Sequence, residues 1–152
     1  MKELNDTPLT LNAFFPHKRV CNTENETQEI FDLYQLGLFS APDSFLANHI
    51  EKSIQNAQPI YENLELVELQ PESSYKPHFH QKSAAVIYII SGAGDFLLGD
   101  VNMKYHSGMR MVIPAGVLHG FKTHTRTLFL SIQSPPIIDP DTQNIDLQYE
   151  MS

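Results

Sequence analysis

His78, His80 and His119 constrain this chain more than any other residues. They stand in the segments K-P-H-F-H-Q and I-P-A-G-V-L-H-G-F. In an extended strand, residues two apart share a face, so His78 and His80 project side by side and Phe79 points away. His119 follows two hairpin-like turns and can join the pair only through the fold. Neutral imidazole nitrogens suit Fe, Zn, Cu and Ni. A pair at this spacing plus a third histidine makes a facial set that leaves coordination positions open. The other reading is three interior histidines satisfied without a metal. Three unprotonated imidazoles facing one another in an apolar cavity need compensation, and a divalent cation supplies it directly.

At 152 residues, one domain with one core is expected. The net charge of −8 and the scattered basic residues disfavour a nucleic-acid partner, because no basic stripe is present to neutralise phosphates. The N-terminal text lacks a charged region followed by an apolar run, so no signal peptide is expected. No apolar stretch is long enough to span a bilayer, and a membrane partner is not expected. These features point to a cytoplasmic protein. Cys21 is the single cysteine, which excludes an internal disulfide framework. It is read as a plain side chain in an N-terminal loop.

The chain divides near residue 60. Residues 1–60 read as an N-terminal extension with two short helices. Thr23 and Glu26 can form a capping box, and Ile30, Phe31, Leu33, Tyr34 and Leu36 supply an apolar stripe that Gly37 would stop. A second helix would open at Ser40, carry Leu46, Ile50, Ile54 and Ala57, and end at Pro59. His49 lies beside that stripe, as a helix histidine rather than a ligand. Residues 61–135 read as strands: Leu64–Leu69, Ala84–Ile90, Phe96–Leu98, Val101–Tyr105, Met109–Ile113 and Thr127–Gln133. Gly92, Gly94 and Gly99 are expected at turns requiring positive φ. Pro114-Ala115-Gly116 is expected to form a tight corner. Short strands with Gly and Pro punctuation predict an antiparallel sandwich or small barrel. Residues 136–152, with their prolines, form a tail that cannot continue a central strand.

Alternation assigns the faces. Ala85, Ile87 and Ile89 should point into the barrel, and Val86, Tyr88 and Ile90 outward, with Tyr88 packed. If His119 points inward, Phe121 and Thr123 line the same cavity. Ala85, Ile87, Phe121 and Thr123 are therefore the expected pocket lining. His106 and His124 are read as surface residues. Lys82, Lys104, Arg110 and Arg126 could anchor a carboxylate, but surface charge is the default.

The pattern over residues 70–135 resembles the cupins. Their first motif is a Gly, then H-x-H, an acidic ligand and a second Gly; His78, His80 and Gly92 match. The family's Glu falls on Ala85, and its leading Gly falls near Glu72. The second motif, G-x5-P-x-G-x2-H-x3-N, is matched by Gly108, Pro114, Gly116 and His119, with Thr123 in place of the Asn. The resemblance implies an all-β fold, an antiparallel double-stranded β-helix or jelly-roll barrel. It also implies a divalent metal held by His78, His80 and His119. Cupins similar in this three-His pattern include thiol and diketone dioxygenases that bind Fe(II). Fe(II) is therefore the expected ion, with Zn, Ni, Mn or Cu able to take the same donors. Three neutral ligands leave the full +2 charge on the ion, which favours an anionic or chelating small molecule.

Two functions compete: a metal-dependent, dioxygenase-like enzyme, and a non-catalytic ligand-binding or sensing cupin. No residue can be assigned a catalytic role. An epimerase would need a His base with a Tyr acid, and no pattern supports one. The acidic N-terminal segment disfavours a DNA-binding regulator. The apolar outer side of Ala84–Ile90 needs cover, either from the chain's own N-terminal helices or from a partner copy, and a homodimer built on the outer sheet and the N-terminal segment is expected.

Overall fold

The computed structural model describes residues 11, 14–22, 29–40 and 61–150. Eleven strands run in chain order: β1 His17–Asn22, β2 Glu29–Ser40, β3 Tyr61–Leu69, β4 Ser74–Phe79, β5 Ala84–Ser91, β6 Gly94–Leu98, β7 Val101–Tyr105, β8 Arg110–Ile113, β9 His119–Thr123, β10 Thr127–Ser134 and β11 Gln148–Tyr149. They form a six-stranded sheet ordered β1-β2-β3-β10-β5-β8 and a five-stranded sheet ordered β11-β4-β9-β6-β7. Every strand pair is antiparallel. From β3 onward the chain passes back and forth between the sheets, which is the antiparallel double-stranded β-helix.

Alternation is obeyed where it was expected. Ala85, Ile87 and Ile89 are buried, while Tyr88 and Ile90 are exposed. His119, Phe121 and Thr123 are buried on one face of β9. The centre of the barrel is aromatic. Phe121 stacks on Phe129 at 5.1 Å, tilts against Phe96 at 4.8 Å and meets Tyr105 edge-on at 5.3 Å. Burying each such ring contributes about 2 kcal/mol, so this cluster ties the two sheets together.

Several expectations are corrected. The first predicted helix is not formed: Glu29–Ser40 is strand β2, hydrogen-bonded to β3. Phe31 and Leu33 pack against the core, a two-residue period that the capping box had obscured. Gly37 is not a helix stop. It sits at a register shift, where β2 takes an extra residue between Gln35 and Gly37. Cys21 lies exposed on β1 rather than in a loop. The second predicted helix, with His49, falls outside the described residues.

Gly94 also departs from expectation, since its φ is not positive. It is a strand residue, and a Cβ there would lie 2.3 Å from the Lys122 carbonyl oxygen. Close strand approach is what requires glycine. Tyr88 is not packed. It is exposed beneath Arg110, which donates from Nε to its hydroxyl at 3.2 Å.

Candidate metal centre

β4 and β9 are neighbours, and their register sets His78 directly opposite His119. A bulge between Tyr75 and His78 lets the H-x-H pair come into line. His80 follows β4, and its carbonyl accepts the N–H of Gly116 at 2.6 Å. Gly116 has φ +81°, in the left-handed region that favours glycine, so the Pro114–Gly116 corner binds the two motifs together. The three rings lie 4.4–5.1 Å apart between centroids. One ligand atom from each lies within 4.8 Å of the others, and only these three residues make such a group among the described residues. His78, His80 and His119 are the residues that would hold one divalent ion.

The tautomers fit a metal. Each Nδ1 faces a backbone carbonyl: His78 that of Lys76 at 3.2 Å, His80 that of Asp146 at 2.5 Å, and His119 that of Val117 at 2.9 Å. A carbonyl only accepts, so each Nδ1 carries the proton and each Nε2 lone pair is free. Burial pushes the His78 pKa from 6.5 down to about 4; the Lys76 carbonyl opposes this and His80 adds to it. His119 falls to about 3, first through burial, then through repulsion from His78, against the bond to Val117 and with a further contribution from His80. Both rings are neutral at pH 7, as metal ligands must be.

The remaining expected site residues divide. Ala85 and Ile87 are buried on the inward face of β5. Two residues before Ala85, Ser83 is buried with its hydroxyl unpartnered. Phe121 is part of the aromatic cluster. Thr123 seals the 70–73 turn instead: its hydroxyl donates to the Gln70 carbonyl at 2.6 Å and accepts the Ser73 N–H at 3.0 Å. Within that turn Glu72 has φ +48°, so the residue nearest the motif's missing glycine keeps a glycine-like backbone. His106 and His124 are exposed, as expected. So are Lys104 and Arg126, paired with Asp95 and Glu68.

A polar row on the six-stranded sheet escaped the sequence reading. Gln133 donates to Glu65 and, at 3.3 Å, to Ser131, and accepts from Asn63 at 3.3 Å; Asn63 in turn accepts from Gln35. Register places this row at the histidine end of the barrel. Tyr105 and Thr123 flank Gly94, and Tyr105 hydrogen-bonds Thr127, so those residues mark the far end. Phe121 and Phe129 mark the middle, and one step further lie His119 on one sheet and Ser131 on the other. The available signal was Asn63-x-Glu65 and Ser131-x-Gln133, polar residues in the inward phase of their strands. Burial raises the Glu65 pKa, against the hydrogen bond from Gln133.

Residues 65–132 match the family model for the cupin domain. No curated protein matches the sequence. The fold is similar to a predicted oxalate decarboxylase from Thermotoga maritima, at 16% identity and TM-score 0.54, covering 82% of this chain and 96% of that one. It is also similar to a conserved protein with a double-stranded β-helix domain from Klebsiella pneumoniae, at 16% identity and TM-score 0.50, covering 60% and 76%. Ectoine synthase from P. lautus gives 11% identity and TM-score 0.50, covering 70% and 64%. At these identities the likeness concerns the fold.

Proposed function

We propose, from the cupin domain matched over residues 65–132, that this chain is a metal-dependent, dioxygenase-like enzyme acting on a small anionic or chelating molecule. One observation carries the reading: three imidazoles, each with Nδ1 facing a backbone carbonyl, bring one ring nitrogen apiece within 4.8 Å of one another with no carboxylate in the group. Fe(II) is the proposed ion. When bound, such an ion acts as a Lewis acid, orients the substrate and activates oxygen. The protein's own contribution is binding and orientation. The three neutral donors leave the ion's charge for a carboxylate or enolate oxygen to offset. In this reading Ala85 takes the place of the motif's carboxylate, so the substrate rather than the protein would supply the negative charge. Phe121, two residues along β9 from His119, carries the buried aromatic cluster that packs the barrel interior. The proposed setting is the cytoplasm, with a small molecule as partner.

The test is oxygen consumption by iron-loaded protein across a panel of carboxylates, thiols and diketones, with metal content measured on protein lacking a His-tag. Turnover with one class, lost in His78→Ala, His80→Ala and His119→Ala together with the metal, supports the reading. Binding of a panel member without turnover would leave a ligand-binding cupin. Full metal content in the triple variant would overturn the metal site itself.

A further inference from the structure

We propose that Asp146 is a positioning residue of the metal centre, acting through His80 from a tail that lies beyond the family-matched residues. The inference rests on the three-histidine metal reading. Asp146 makes two sets of contacts with one segment. Its carboxylate accepts the backbone N–H groups of Gln81 at 2.8 Å, Lys82 at 2.8 Å and Ser83 at 3.0 Å. Its carbonyl accepts Nδ1–H of His80 at 2.5 Å. The first set fixes the second: three charge-assisted bonds clamp Asp146 onto the residues that immediately follow His80, so its carbonyl is held where the ring must donate.

The other two histidines need no such help. His78 and His119 each bond a carbonyl two residues before them, Lys76 within β4 and Val117 just ahead of β9. His80 alone takes its Nδ1 partner from a distant part of the chain. The tail also bonds to itself and, through β11, to the barrel. Asp146 donates to the Ile137 carbonyl at 2.8 Å, Ile138 bridges Ile145, and β11 pairs with β4 so that Tyr149 stands opposite His78. Tyr149 also meets the His78 ring edge-on at 6.2 Å. The tail thus contacts both histidines of the H-x-H pair. A ligand histidine whose other nitrogen is anchored keeps its tautomer and orientation, and losing such an anchor weakens metal binding about 10- to 100-fold.

The test uses Co(II) as probe, with the full chain carrying Asp146→Ala, Asp146→Asn or Asp141→Ala. Co(II) affinity is read by chelator competition, the ligand field by visible absorption, and the His80 tautomer by nitrogen NMR of metal-free protein. Asp146→Ala should lose about 10- to 100-fold in Co(II) affinity, shift the visible bands and release His80 from the Nδ1–H form. Asp146→Asn, which keeps one acceptor oxygen, should fall between it and wild type, and it serves as the test if the alanine variant does not fold. Asp141, exposed on the same tail, should be silent. Normal affinity and an unchanged His80 tautomer in a destabilised Asp146 variant would reduce the residue to a structural strap and overturn the proposal. Failure of wild-type protein to bind Co(II) would instead overturn the metal reading, while the tautomer measurement still judges the latch.

Discussion

His78 and His119 set how the metal-free protein responds to acid. Their folded pKa values, about 4 and about 3, lie below the ordinary 6.5. The unfolded chain therefore takes up protons first. The stabilisation is complete above pH 6.5 and is lost as pH falls toward the folded values. At about 1.4 kcal/mol per pKa unit, His78 alone accounts for about 3 kcal/mol at the acid limit. Urea unfolding of chelator-treated protein at pH 7, 6 and 5 should show a steady loss, shallower in His78→Asn; a flat profile would contradict it. Position 85 gives a second expectation. Ala85→Glu should return a carboxylate to the donor group and slow metal loss to a chelator, and a folded variant with unchanged retention would show that the side chain does not reach the site. These residues were legible because H-x-H and P-x-G-x2-H place chemistry at fixed intervals. Asp146 was not, because its bonds to His80 and the 81–83 backbone depend on where a proline-rich tail lands, which no spacing encodes.

Glu65 shows what a strand adds beyond its own pattern. It lies on β3, pairs across to Ser131 of β10, and is bonded by the Gln133 amide, so its surroundings come from two strands far apart in sequence. Burial raises its pKa above the ordinary 4.5, so the folded state holds the proton more tightly than the unfolded one. That contribution is complete below pH 4.5 and is lost as pH rises through the folded value. In Glu65→Gln this dependence disappears, and the variant should gain stability relative to wild type between pH 4 and pH 7. Parallel unfolding curves at the two pH values would show that the carboxyl is not desolvated. β2 makes the same point from the opposite direction. Ile30, Phe31, Leu33, Tyr34 and Leu36 satisfy a helical stripe, yet pairing with β3 settles the segment as strand. Asp32, almost fully buried, is held there by a bidentate bond from Arg19 at 2.9 and 3.0 Å and by His17 at 2.7 Å. That cluster aligns β1 with β2 and exists only in the strand pairing, so a helical reading could not reveal it.

For the molecule as a whole, the barrel was legible in strand spacing and glycine punctuation, and the need to cover its outer side in the apolar run of β5. The outward side of the six-stranded sheet is apolar toward its β5–β8 end. Ile90 is 51% exposed, Val112 47% and Tyr88 37%, and Val86 is paired with Val112 across the two strands. Half-buried Leu128, Leu130 and Ile132 of β10 continue the surface inward from that edge. A monomer gains nothing from presenting such a face to water. A second copy related by a two-fold axis would cover it with the same residues from both sides, and about 800 Å² per partner is enough for a stable contact. The expected protein is therefore a dimer with a mass twice the 17.3 kDa chain. Light scattering at micromolar concentration checks this. Ile90→Arg and Val112→Glu should each shift the mass to that of one chain while leaving Co(II) binding intact, because both side chains point away from the histidines. A wild-type mass near 17.3 kDa would overturn the dimer.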